Sequence, residues 1–570
     1  MYLHIIILID LKPYLKLLLL IVFTTIFYAQ IHAQSLELKI HSKNNTDKHL
    51  IDSITYKTKH YNKETIYKEI KTISNLLSTK GFINNNYKIK ENDTVINCYF
   101  ILNKKIDTIH IYYNSLSLQP ELLKKISPNY NKLYFESSIP TIEQKLNTIT
   151  KYYEALGFSF VKTSLKNLIL KKNIIEAELH IESSFKRTIN TTIIKGYNEF
   201  PKKYLKHYLN INKNTIFNTE FLKKTTQEIN TIPFITQLKN PEVLFTKDST
   251  NLYLYLKKKN TNQFDGIIGF SNSESKNLTI NGYINLYLNN IFNSGEQINF
   301  NWKNNGDKKT TLYLDLNTPY ILKSKFSLNS SFNIYKQDTL YNTTNTKIAL
   351  AYNFNKNQSI SSIATFEKSN ILGSENYDGI ENFEKNLFGI SYIYQPTSYF
   401  LKNKLGVELS YLIGTRKTFS TKNNQSKGLA IASYTYNINT KNQISIKNTT
   451  EFINTSNNYN LLENELFQIG GINSIRGFDD QSILTSSYNL TNLEYKFYTN
   501  SSNYLYSVSD LGLIKNQLNN TSNTLIGLGI GYNFRSKNSI VNLNYVLGKT
   551  EDLPFKFNNA KLHIKLSYNF

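Results

Sequence analysis

The sequence predicts a mainly β protein with α+β modules: three tandem β-α-α-β-β modules, then a sixteen-stranded antiparallel transmembrane β-barrel. Three observations carry this expectation. A helix-ending signature recurs every 76 residues in the first half of the 570-residue chain. Alternating apolar and polar segments then run from 263 to 570 with no helical period. Finally, a glycine-flanked arginine motif lies roughly five strand-like segments before an aromatic residue, Phe570.

Residues 1–33 read as a signal peptide. Lys12 and Lys16 precede an apolar run at 17–29, and Ile31-His32-Ala33 places a small residue before Gln34. That run is short of the ~20 residues a spanning helix needs. Export is therefore expected, and since no long apolar run follows, any further span must be made of strands.

The modules are expected at 35–105, 106–185 and 186–260. Their main helices end at Lys80-Gly81-Phe82, Leu156-Gly157-Phe158 and Ile232-Pro233-Phe234. Glycine suits a left-handed cap, and proline stops a helix by lacking the N–H. Upstream, Ile66, Ile70 and Ile73 correspond to Ile142, Leu146 and Ile149, at i, i+4 and i+7 on one helical face. The third unit keeps Leu222 and Ile229 but has Asn218 and Thr225 at the equivalent outer positions. Each helix precedes two alternating segments, as at 160–168 and 174–181, and each unit opens on a strand-like stretch: 36–40, 106–112 and 188–194. The pattern resembles the POTRA module. Generic α+β spacers are the alternative.

From 262 to 570, segments such as 278–288, 310–316, 325–335, 428–436 and 524–534 alternate between turns rich in Asn, Ser, Gly and Lys. About sixteen fit, each near the ~10 residues of a membrane strand. A soluble sandwich would leave edges that a barrel abolishes. An even strand number also returns the chain to the side on which it entered.

Composition agrees. The 42 Tyr and 33 Phe against one Trp suit sheets at a membrane interface. A net charge of +24 raises nucleic-acid binding, but the lysines are scattered without a basic stripe, so no nucleic-acid partner is expected. Attraction to anionic lipid headgroups of the outer membrane is the milder consequence. Cys98 is the only cysteine, which excludes an intrachain disulfide and points to packing. There is no H-E-x-x-H, G-x-S-x-G or Walker loop, and the nine histidines form no close cluster. No enzymatic activity, no cofactor and no metal are expected.

The motif carries the sharpest resemblance. Ile475-Arg476-Gly477-Phe478 is similar to the V-R-G-F/Y motif of the BamA/TamA outer-membrane assembly superfamily, which includes two-partner-secretion translocators. Gly470 and Gly471 give backbone freedom, and Gly477 lets the chain turn beside the arginine. The resemblance implies a loop between the eleventh and twelfth strands, folded into the lumen, whose arginine meets acidic residues on the following strands. Glu494 matches the first, and alternation sends it to the lumen while Leu493, Tyr495 and Phe497 face lipid. Asp510 resembles the family's D-x-G motif, but parity groups it with Tyr506 and Val508, which requires a bulge or a lumen that accepts aromatics. The segment 561–570, with Leu566, Tyr568 and Phe570 on one face, looks like the terminal β-signal. Phe264, Gly266 and Gly269 mark a glycine-interrupted first strand, and Asn290-Ile291-Phe292-Asn293-Ser294-Gly295-Glu296 resembles the family's second hairpin.

What the resemblance implies is insertion or translocation of unfolded outer-membrane client proteins without ATP. The modules would lie in the periplasm, where a periplasmic or inner-membrane partner engages them. Three modules lean toward the TamA-like branch. A passive porin, or a two-partner-type export barrel with spacer modules, is the alternative.

Overall fold

The computed structural model describes residues 35–570 apart from 172, 183–184, 273–277, 305–308, 374–378, 397–402, 457–459, 537–538 and 570. The expected leader and Phe570 lie outside the described residues. The chain divides into two compact units, the first ending at Lys186 and the second beginning at Arg187. The third module therefore belongs to the barrel's unit.

In the first module, Leu36–Ser42 runs parallel to Val95–Ile101, with Lys59–His60 and Asn86–Glu91 outside them. The helix Lys63–Thr79 starts where the Asn62 side chain accepts the Thr65 N–H at 2.9 Å. It buries Ile66, Ile70, Ile73 and Leu77 against Ile96, Cys98 and Phe100, every second residue of the facing strand. Cys98 is fully buried here, and burial pushes its thiol up to about 12. The second module repeats this order, with Thr108–Tyr112 parallel to Ile174–Glu182 and helix Ile142–Ala155 above them. Of the matching helical face, Ile149 is fully buried, while Ile142 and Leu146 are half-buried.

The third module is a three-stranded sheet ordered Ile235–Phe245, Thr250–Lys258, Thr191–Lys195. Its helix, Thr219–Ile229, begins one turn later than the repeat implies. Asn218 is the N-cap, accepting the Phe221 N–H at 2.7 Å, so it never belonged to the apolar face. Thr225 is buried beneath the helix beside Ile229. The opening strand starts at Thr191 because Thr188 makes an isolated bridge to Ile216 instead.

The barrel is closed by sixteen antiparallel strands. They are β1 (Gln263–Asn272), β2 (Leu278–Asn289), β3 (Gln297–Asn304) and β4 (Lys309–Thr318). Next come β5 (Phe326–Gln337), β6 (Tyr341–Asn355), β7 (Gln358–Ile371) and β8 (Phe383–Tyr394). Then β9 (Asn403–Thr418), β10 (Lys422–Asn437), β11 (Asn442–Thr455) and β12 (Ser487–Tyr498). Last are β13 (Tyr504–Asn516), β14 (Thr521–Arg535), β15 (Ser539–Lys549) and β16 (Lys561–Asn569). Side chains such as Phe388, Ile390, Tyr411, Ile413 and Ile530 are exposed on the outer wall. A closed barrel with an apolar outer face is a solution for lipid, since strand pairing satisfies the backbone around the wall apart from one thinly paired junction. None of the described helices is long and apolar enough to cross a membrane. The wall is uneven: β9 and β10 have 16 residues each, β3 has 8 and β16 has 9.

Candidate functional site

The long connection between β11 and β12, the eleventh and twelfth strands, carries the arginine. Within it, Phe467–Ile469 pairs with Ile483–Thr485 as a small hairpin. Gly470 (φ 116°) and Gly471 (φ 91°) reverse the chain beyond this stem in the left-handed region. Ile475 is fully buried among Ile469, Leu490, Ile514 and Leu525, which anchors the loop to the inner wall by apolar contact.

Arg476 is held by two carboxylates. Its Nε and Nη2 donate to the two oxygens of Asp510 at 2.8 and 2.7 Å, a fork-to-fork pairing. Its backbone N–H also reaches Asp510, at 3.0 Å, and its Nη1 donates to Glu494 at 2.5 Å. The other Glu494 oxygen takes Lys496 at 3.1 Å. The Asp510 side chain is 1% exposed and that of Arg476 8%, so neither charge has water as a substitute partner. Removing one member of such a pair costs about 3–5 kcal/mol. Three of its five guanidinium N–H groups are thus held by the two carboxylates, which pin the loop to β12 and β13. It is a lock.

Asp510 reaches it without a bulge. β12 and β13 keep one register past this point, and Tyr506, Val508 and Asp510 are all buried on the inner face while Leu505, Leu511 and Leu513 are exposed. The lumen accepts the aromatic because the Tyr506 hydroxyl donates to Asn542 at 2.8 Å and also to Asn544.

The lock rests on a track of glycines. Asp510, Gly527 and Gly548 are directly paired neighbours across β13, β14 and β15. A Cβ on Gly527 would run into the Arg476 carbonyl oxygen, and one on Gly548 into that of Gly477. Gly477 is itself left-handed (φ 92°), and its own Cβ would stand 2.8 Å from the Gly548 nitrogen. The loop backbone thus lies directly on the wall.

A second lock sits at the start of the loop. Glu465, with a fully buried side chain, accepts Arg416 of β9 at 2.7 Å and Lys385 of β8 at 3.3 Å. It also takes the Leu462 N–H at 3.0 Å and Gln425 at 3.1 Å. Sequence reasoning missed Glu465, Arg416, Lys385, Gly527 and Gly548. One signal was available: arginine stands at only 187, 416, 476 and 535 of a chain with 66 basic residues.

The barrel closes at a thin seam. β1 pairs with β2 from Gln263 to Asn272, but with β16, among the described residues, only through Gln263–Asn569 and Phe264–Tyr568. Gly266 is needed for close approach to β2, since a Cβ there would lie 2.9 Å from the Tyr283 carbonyl oxygen. Gly269 borders space: its Cβ would meet only Asn281 O, at 3.9 Å. Leu566 and Tyr568 face outward, half-exposed.

The β2–β3 turn, 290–296, is the third module's dock. Tyr197 donates to Asn293 at 2.6 Å and accepts from Asn290 at 2.8 Å, while Tyr204 lies against Gly295 and donates to its carbonyl at 3.2 Å. Glu296 shapes the turn by accepting the Phe292 N–H at 2.6 Å and the Ser294 hydroxyl at 2.6 Å. Among the described residues, no set of His, Cys, Asp and Glu is placed to hold a metal ion.

These features define an outer-membrane sixteen-stranded barrel with an arginine-locked lumenal loop and α/β modules before it. Residues 251–534, from the last module strand to β14, match the family of haemolysin secretion/activation proteins ShlB/FhaC/HecB. The fold is similar to that of CdiB from Escherichia coli (TM-score 0.54, 13% identity, 88% of this chain and 98% of that one). It is also similar to CdiB from Acinetobacter baumannii (TM-score 0.50, 14% identity, 82% and 90%). BamA from Haemophilus ducreyi lacking POTRA domains 1-3 aligns with a TM-score of 0.47 at 13% identity, over 81% of this chain and 99% of that one. No curated protein sequence matches the chain. The barrel and the modules before it thus share the fold of the CdiB structures.

Proposed function

We propose that this protein assembles client β-proteins into the outer membrane by letting an extended client strand pair at the β1–β16 seam. The observation that carries the reading is the seam's pairing, confined to two residue pairs at one end. The unpaired lengths of β1 and β16 are strand edges, and an edge templates another strand. No nucleotide, cofactor or covalent chemistry is needed, because new backbone hydrogen bonds and lipid-facing burial drive the exchange. The modules would stand in the periplasm and receive unfolded clients, and a periplasmic or inner-membrane partner would dock on them. Their number leans toward the TamA-like branch.

A second reading, export of a partner protein through the lumen, is favoured by the family match over 251–534. That route requires the doubly locked loop to leave the wall. A cysteine pair replacing Ile268 and Ile564, which would face each other on the unpaired length if the Gln263–Asn569 register continued, separates the two readings. Oxidation is expected to stop client assembly, and reductant to restore it. Undiminished assembly with the seam closed by disulfide would defeat the seam reading, and continued export through the closed barrel would establish the second.

A further inference from the structure

The far end of the seam, where β1 and β16 are unpaired, is spanned by the tip of the arginine loop. Asp479 pairs with Lys561, the first residue of β16, at 2.8 Å. The next residue, Asp480, pairs with Lys303 near the end of β3 at 2.6 Å. The Gln481 carbonyl then accepts Lys309, the first residue of β4, at 3.1 Å. Three consecutive residues thus hold the last strand on one side of the seam and the third and fourth on the other. The hairpin β1–β2 is bracketed between them.

The tip is built for this span. Gln481 is left-handed (φ 52°), and its N–H returns to the Gly470 carbonyl at 3.4 Å. A Cβ on Gly471 would stand 3.1 Å from the Asp480 Cα, so the glycine pair is the bed on which the tip folds back. Arg476 fixes the neck of the same loop to β12 and β13. The tip therefore projects from a rigid base, and its carboxylates are aimed by backbone geometry.

We propose that Asp479 and Asp480 are positioning residues that latch the seam at the end opposite its strand pairing, so that the barrel opens to a client when these ion pairs part. The latch rests on the proposed role of the seam. Both pairs are solvent-exposed, with Asp479 at 71% and Lys561 at 38%. Exposed pairs are individually weak and screened by salt, which suits a closure that must release without unfolding the wall. The buried locks lack that property.

The test uses the full chain in detergent or vesicles, with Cys98→Ala and spin labels at Ile268→Cys and Ile564→Cys. These positions would face each other if the Gln263–Asn569 register continued along the seam. Asp479→Lys is expected to lengthen the label separation and at least double the open fraction, and so is Lys561→Asp alone. The exchanged pair, Asp479→Lys with Lys561→Asp, should restore the parent distribution, because only charge complementarity is returned. Raising salt to about 0.5 M should move the parent toward the single variants and leave them nearly unchanged. If Asp479→Lys fails to give the folded, heat-shifted gel species, Asp479→Asn takes its place. A label distance that ignores the single variants and salt, or an exchanged pair that stays open, overturns the latch. If distances respond as expected while client assembly is unaffected, the latch stands and the seam is not the client's path.

Discussion

Gly548→Ala tests whether the loop is seated by the wall or merely by its arginine. The added methyl would overlap the Gly477 carbonyl oxygen and stand 3.3 Å from Phe478 Cζ. One of two things must give. If β15 yields, the cost is that of overpacking, about 1–3 kcal/mol. If the loop lifts, the Asp510 contacts at 2.7–3.0 Å lengthen, and the cost approaches the ~3–5 kcal/mol of a broken buried pair. The lower route sets the expectation. A loss of about 1–3 kcal/mol in local stability is a 5- to 150-fold change in the opening equilibrium.

The Arg476 amide reports that equilibrium directly, since it donates to Asp510 and exchanges only when the loop lifts. Hydrogen exchange over 474–478 should quicken by that factor in Gly548→Ala, and by a similar factor in Gly527→Ala. Gly269→Ala, whose methyl enters open space, is the control and should leave the loop unchanged. Exchange in Gly548→Ala within twofold of the parent would refute the reasoning. The arginine would then seat the loop without the track.

Arg476→Lys keeps the charge but loses the planar fork, so it should retain the barrel and raise exchange over 474–478 nearly as much as Arg476→Ala; parity with the parent would mean charge alone suffices. Glu465→Ala leaves Arg416 and Lys385 buried without their carboxylate and should cost about 3–5 kcal/mol, read as a lower temperature for loss of the compact gel species. Glu384→Ala, which removes an exposed pair with Lys368, should leave that temperature nearly unchanged in the same assay. Burial raises the Glu296 carboxyl, but bonds from the Ser294 hydroxyl and the Phe292 N–H outweigh it and hold the group below its ordinary value of 4.5. Its unfolded value is therefore the higher one, so its stabilisation is complete above that value and disappears as pH falls through the folded one. The unfolding midpoint of the parent should exceed that of Glu296→Gln at neutral pH and converge with it in acid, whereas a gap independent of pH would assign the difference to shape.

The fold was legible because both of its periods were. Ile66, Ile70 and Ile73 announce a helix face, and 561–569 alternates so regularly that each side chain's destination can be read. The lock was legible through Arg476 and Glu494, where a motif and strand parity agree. Asp510 was harder. Parity placed it with Tyr506, and a tyrosine in a lumen is acceptable only once Asn542 and Asn544, from a strand two removed, supply hydrogen bonds. Gly527 and Gly548 were unreadable for a similar reason: each looks like a weak strand residue until the Arg476 and Gly477 carbonyls are laid across it. Arg416 could have been found. In a chain that uses lysine almost everywhere, three of the four arginines, Arg187, Arg416 and Arg476, are buried, and Arg187 donates to the Thr246 carbonyl at 2.9 Å, whereas Arg535 is exposed.

The three attachments of the loop differ in a way that orders their release. Glu465 and Arg476 hold it by buried charges whose separation costs several kcal/mol each, whereas Asp479 and Asp480 hold it by exposed pairs worth ~0–1 kcal/mol each. Thermal fluctuation therefore frees the tip long before the neck or stem. Once the tip lets go, among the described residues only Gln263–Asn569 and Phe264–Tyr568 still join β1 to β16, and β1–β2 can swing while the loop stays on its glycine track. Lateral opening then requires no change at Arg476, whereas passage along the lumen requires both buried locks to break together. The ratio of the two costs gives the experimental distinction: a variant that stiffens the arginine lock should leave seam-dependent assembly intact and slow export through the lumen. If stiffening Arg476 slows both equally, the loop moves as one body, and the separation between latch and lock fails.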